Sequence, residues 1–113
     1  MKLPEEGCLL RIMIGESARH KGKPLYEWIV GQAREFHLAG ATVLRGMMGY
    51  GASSRIKTSK ILRLSEDLPI VIEIVDTEDK LETFLSHIDP VISDGLATME
   101  LARIRFYRGQ KKK

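Results

Sequence analysis

The period of hydrophobic and polar positions changes several times along the chain, and each change marks an element. Residues 8–14 (Cys-Leu-Leu-Arg-Ile-Met-Ile) form a short apolar run closed by Gly15, the pattern of a mostly buried strand. Residues 16–23 are polar, carry Arg19, His20, Lys21 and Lys23, and read as a loop. Pro24 then opens a helix where its missing N–H costs nothing. Leu25, Trp28, Ile29, Ala33 and Phe36 recur every three or four positions as one apolar stripe, and Gly40 is the predicted stop. Residues 41–48 are β-like with a Met-rich end. Gly46, Gly49 and Gly51 break that pattern, and residues 49–60 read as a long polar, basic loop, with residues 61–64 re-entering the strand region. Residues 69–75 (Pro-Ile-Val-Ile-Glu-Ile-Val) give the strongest strand signal in the chain. Asp76 or Thr77 caps a second helix, with Glu78 and Asp79 in its first turn and Leu81, Phe84, Leu85 and Ile88 facing inward. Pro90 interrupts that helix, and a short second piece ends near Gly95. Residues 96–107 form the last strand, with Met99, Leu101, Ile104 and Phe106 as its apolar positions.

The order is therefore β-α-β-β-α-β. It predicts an α+β protein of the ferredoxin-like type: a four-stranded antiparallel or mixed sheet with two helices on one face. The chain of 113 residues is the size of a single domain, here residues 1–113, with residues 1–7 and 108–113 expected to fray. In this topology the loop after the first strand, the loop after the second and the loop before the fourth share one end of the sheet. Helices on one side leave the other sheet face bare, and Met13, Val71 and Ile104 are candidates to cover it by self-association.

Composition narrows the classes of function. The apolar runs fall far short of a membrane span, and the charged, proline-containing start has no signal-peptide pattern. A single cysteine, Cys8, forms no internal disulfide and fits a cytoplasmic, reducing setting. The net charge of +3 is modest but unevenly spread. Residues 36–65 hold five bases and no acid, residues 66–100 hold ten acids and one base, and residues 101–113 hold six bases and no acid. The middle loop and the tail therefore attract anions, while few aromatics and a small net charge argue against a dedicated nucleic-acid binder.

The candidate chemistry follows from the glycines. Arg45, Gly46, Gly49, Gly51, Ser53, Ser54 and Arg55 lie at a strand end, where glycine lets backbone N–H groups approach a phosphate and arginine adds charge-assisted bonds. A mobile hairpin that needs glycine for positive φ explains the same residues equally well. Gly49-Tyr50-Gly51 is not a dinucleotide fingerprint, because Ser54 stands where the third glycine belongs. Residues 15–23 are not a P-loop, because the spacing is too long and Pro24 replaces the magnesium-binding hydroxyl. His20, His37 and His87 are far apart, no cysteine pair exists, and Ser53 and Ser54 have no base nearby in sequence. The residues therefore predict no catalytic group, no metal and no cofactor, hence a non-enzyme.

Three stretches carry a family resemblance: Leu10-Arg11-Ile12-Met13-Ile14-Gly15-Glu16-Ser17, Gly22-Lys23-Pro24-Leu25-Tyr26 and residues 40–56, joined by residues 64–76. Together they resemble a small bacterial and archaeal domain-of-unknown-function family in the PII-like superfamily, related to nitrogen-regulatory PII proteins. The resemblance spans residues 8–105. It implies a homotrimer, a signalling role, and an adenine nucleotide or other small anion in clefts between subunits at the base of the loop after strand two. On this chain the implied site comprises residues 45–55, with Gly95, Arg103 and Arg105 on the other walls. A regulated partner protein would read the loop. The alternative is a basic-loop module that binds nucleic acid or protein without a small ligand.

Overall fold

A computed structural model describes residues 4–52, 57–58 and 67–110. Six main elements carry the fold: β1 (Glu6–Gly15), α1 (Leu25–Glu35), β2 (Ala41–Arg45), β3 (Pro69–Asp76), α2 (Glu78–Ile88) and β4 (Leu96–Arg103). The sheet order is β2-β3-β1-β4, and every neighbouring pair is antiparallel. β1 and β2 thus point one way and β3 and β4 the other, which is the ferredoxin-like arrangement.

Alternation along the two central strands builds the core. Leu10, Ile12 and Ile14 of β1 and Ile70, Ile72 and Ile74 of β3 are buried on one face. Leu25, Ile29 and Ala33 of α1 and Leu81, Phe84 and Ile88 of α2 close over them as a single cluster. Intervening residues point to the face that carries no helix. Cross-strand register aligns Leu44, Val71, Met13 and Leu96 as one apolar row across all four strands on that open face. Leu44 and Leu96 remain about half exposed, at 50% and 56%.

Several ends depart from the sequence pattern, each for a local reason. α1 stops before Gly40. His37 takes a left-handed conformation with φ 58, while its N–H donates to Arg34 O and that of Leu38 to Ala33 O. These are the two bonds of a Schellman motif, so His37 fills the position that usually goes to glycine. Residues 19–24 are not a plain loop. Arg19–His20 pairs with Lys23–Pro24 around a two-residue turn in which Lys21 (φ 51) and Gly22 (φ 80) both have positive φ. β2 ends at Arg45, and Met48–Gly49 instead pairs with Lys57–Thr58 to root a separate hairpin arm. Thr77 caps α2 by accepting from Lys80 N–H, and a 3-10 turn over Asp89–Val91 follows at Pro90. β4 ends at Arg103, and Ile104 N–H donates to Glu5 O at 2.7 Å, one register step beyond the Glu6–Arg103 pair. Residues 61–64 lie outside the described residues.

Asp76 is fully buried where β3 meets α2. Its carboxylate accepts from Thr77 N–H at 2.7 Å and Ala39 N–H at 2.9 Å, and Lys80 Nζ stands 3.6 Å away. It thereby ties the α1–β2 connection to the start of α2.

Candidate functional site

The pole that the topology predicted is assembled. Register pairs Gly15 with Pro69, Arg45 with Ile70 and Met13 with Leu96, so the ends of β1 and β2 meet the starts of β3 and β4. Gly46, Gly49 and Gly95 all sit at this end, and each has a packing reason to be glycine. A Cβ on Gly46 would lie 3.0 Å from Pro69 Cγ, and one on Gly49 3.2 Å from the same atom. Gly46 N–H also donates to Pro69 O at 2.7 Å, so the chain wraps the proline ring closely. A Cβ on Gly95 would lie 2.8 Å from Met13 O. Around Gly51 the space is open. Ser53, Ser54 and Arg55 lie outside the described residues.

Carboxylates also occupy this pole, so it is not the purely basic rim that charge along the sequence suggests. Arg45 Nη2 is 2.7 Å from Glu16 Oε2. Asp67 Oδ1 accepts from Ser17 N–H at 2.8 Å and lies against Gly15. Arg103 is at the opposite end of the sheet, paired in register with Glu6 and joined to Glu5 at 2.8 Å. Within one chain, then, the described members of the predicted set fall into two groups at opposite ends of the strands.

An open concavity lies at Arg103's end, on the open face. After β4 the chain crosses β1, where Ile104 packs on Gly7 so closely that a Cβ there would lie 2.7 Å from Ile104 Cδ1. It continues to the far edge, where the Tyr107 hydroxyl donates to Ala39 O at 2.5 Å. This strap and the sheet border an open groove of about 570 Å³. Leu9 and Val75 supply an apolar floor, Thr42 and Glu73 polar positions, and Arg103 and Arg105 two bases along one wall. Gly40 completes the end near Ala39. The volume is that of a site for one small molecule. Sequence reading placed Arg103 and Arg105 in a binding wall but missed Leu9, Thr42, Glu73, Val75 and Tyr107. Leu9, Glu73 and Val75 occupy the odd positions between buried residues of β1 and β3, and Thr42 is Glu73's cross-strand partner, whereas Tyr107, beyond β4, has no such local signal.

Remaining chemistry is distributed elsewhere. Trp28 packs between His20 and His87, with ring centroids 4.5 and 5.9 Å away, and His87 Nε2 lies 2.6 Å from Gln32 Oε1. Cys8 is buried, and its thiol is pushed above the ordinary range by that burial, with the Glu78 and Glu82 carboxylates adding to the effect. Among the described residues no three or more His, Cys, Asp or Glu gather as metal ligands, and no helix is long and apolar enough to cross a membrane.

Comparison with known proteins identifies the family. The model of DUF190 ("Uncharacterized ACR, COG1993") matches residues 7–104. A UPF0166 protein of Aquifex aeolicus (strain VF5) is 41% identical over 92 residues, covering 81% of this chain and 87% of that one. The UPF0166 protein MJ1524 of Methanocaldococcus jannaschii is 33% identical over 86 residues, covering 76% and 79%. Among solved structures, CPII from Thiomonas intermedia K12, a nitrogen regulatory PII-like protein bound to ADP, AMP and bicarbonate, superposes with a TM-score of 0.68 at 14% identity, covering 88% of each chain. A PII-like signaling protein from Thermus thermophilus gives a TM-score of 0.62 at 17% identity over 88% and 89%. At such identities the likeness is one of fold, while the family match rests on sequence across nearly the whole length. The chain belongs to the DUF190 family and has the fold of PII-like proteins.

Proposed function

We propose that this protein is a PII-like regulatory protein that binds a small anion, an adenine nucleotide in the leading version, in the open-face groove. It reports occupancy through the arm rooted at residues 46–49. The groove is the observation that carries the reading: about 570 Å³, an apolar floor of Leu9 and Val75, and the bases Arg103 and Arg105 on one wall. A flat apolar ring suits such a floor, and a phosphate suits guanidinium groups, which donate paired charge-assisted hydrogen bonds. The nucleotides named with CPII are ligands of that chemistry. The arm presents Met47, Met48 and Tyr50 to solvent, at 76%, 57% and 73% exposure, an apolar surface fit for a partner protein.

A homotrimer is part of the proposal. The open face carries the Leu44–Val71–Met13–Leu96 row, and covering it with other copies removes apolar surface from water. Neighbouring copies would then complete the groove walls. The polyanion-binding alternative draws less support, because the net charge is only +3 and aromatic residues are few.

Calorimetric titration with AMP, ADP, ATP, cyclic AMP and bicarbonate tests the ligand, and size-exclusion chromatography with light scattering tests the trimer. Arg105→Ala should weaken the binding nucleotide by roughly 10- to 100-fold, the loss of one charge-assisted contact. Silence toward every nucleotide at low salt, with and without magnesium, would end the nucleotide version. Affinity for mixed RNA that collapses with salt, without any nucleotide binding, would favour the alternative.

A further inference from the structure

Among the described residues that line the groove, Glu73 is the one acid. A bare carboxylate there would oppose any anionic ligand, yet Glu73 is not bare. Arg11 Nε lies 3.0 Å from Glu73 Oε2, and Arg11 Nη1 reaches Glu100 Oε1 at 3.4 Å. Arg11 interrupts an otherwise apolar stretch of β1, directly opposite Glu73 on β3 and Thr98 on β4. The Arg11 and Glu73 side chains are each only about one-third exposed, at 33% and 31%, where opposite charges interact more strongly and are screened less than in open water. As a stability device such a pair achieves little, since half-exposed ion pairs contribute weakly and an apolar pair of similar volume does as well. Its effect on the groove is more direct, because the guanidinium, which also reaches Glu100 outside the lining, offsets the one carboxylate of the lining itself that an incoming phosphate would meet.

We infer that Arg11 is a specificity-determining residue for the groove: by pairing with Glu73 it makes the site permissive to anions, without itself touching the ligand. This rests on the groove reading above. Arg11 therefore belongs to the ligand's selectivity for charge, and Arg105 to its direct binding.

The test is calorimetric titration of the full-length protein with ADP and with neutral adenosine, at low and at moderate salt. Arg11→Met keeps an unbranched apolar stem, removes the guanidinium and unmasks Glu73. It should weaken ADP about tenfold while changing adenosine less than about twofold, and the ADP deficit should shrink as salt rises. Arg11→Lys retains the charge and should hold ADP within about threefold of wild type. Glu73→Gln removes the charge that Arg11 masks, and the double variant Arg11→Met/Glu73→Gln should restore ADP affinity to the wild-type range. Equal affinity of wild type and Arg11→Met for ADP overturns the inference and leaves the groove reading intact. Parallel loss of adenosine and ADP overturns it too, by assigning Arg11 a packing role. Should Arg11→Met fail to fold, Glu73→Gln decides: unchanged or tighter ADP supports the inference, and a tenfold loss overturns it. A wild-type protein silent to ADP overturns the groove reading and this inference together.

Discussion

Replacing Asp76 tests how the α1–β2 connection is held to the second helix. The carboxylate is fully buried and satisfies two backbone donors, Ala39 N–H at 2.9 Å and Thr77 N–H at 2.7 Å. Asp76→Asn keeps one acceptor and turns the other into an N–H₂ group facing a backbone N–H. One buried donor is then left unsatisfied, at a cost of about 1–3 kcal/mol. Asp76→Ala removes both acceptors, for roughly 2–6 kcal/mol, against a total stability of about 5–15 kcal/mol for an ordinary domain. Lys80 adds less in either variant, since its ammonium is 3.6 Å from Asp76 and donates to His37 O at 3.2 Å. With a urea m-value of about 1–2 kcal/mol/M, a loss of ~2 kcal/mol lowers the midpoint by about 1–2 M. Urea unfolding followed by Trp28 fluorescence and far-ultraviolet dichroism, at one fixed protein concentration, measures the shift. An Asp76→Asn midpoint that matches wild type within about 0.4 M would refute the reasoning, because no buried donor would then depend on that oxygen.

Three further predictions concern local stability. Gly31 sits on the exposed side of α1 with open space around a built Cβ, so Gly31→Ala should raise stability by about 0.5–1 kcal/mol, read as a melting point a few degrees higher. His37→Gly relieves a left-handed residue at the end of α1 and should gain about 0.5–1 kcal/mol after the added flexibility of the unfolded chain is subtracted; a lower urea midpoint would refute the assigned cap. The Cys8 thiol holds its proton to higher pH in the folded state than in the unfolded chain, where thiols titrate near ~8.5. Its contribution is thus fully present below that unfolded value and is lost as pH rises from there through the folded one. Wild-type midpoints should therefore fall more steeply than those of Cys8→Ala as pH rises above about 8.5, and parallel slopes would count against the assignment.

The central strands and the apolar stripes of both helices were legible because their spacing is local: Ile70, Ile72 and Ile74 alternate, and Leu25, Ile29 and Ala33 recur at helical period. Strand order also followed, and with it the meeting of loops at one pole. What could not be read were contacts between distant residues. The groove exists because Tyr107 reaches Ala39, 68 positions away, and no periodicity announces that. The packing role of Gly46 and Gly49 was hidden for a related reason: both approach Pro69, the first residue of a later strand. The stop at Gly40 was the reasonable expectation, and His37 took the left-handed position because the Schellman bonds to Ala33 and Arg34 already form there.

The clasp of the arm's root on Pro69 has a mechanical consequence. The same strand that begins under that clasp carries Glu73 and Val75, which border the groove, and it ends in the buried Asp76 anchor. β3 is thus a stiff rod fixed at one end by Asp76 and gripped at the other by the loop's base. In the proposed function, a molecule seated against its middle and a protein bound to the arm would load one and the same short lever.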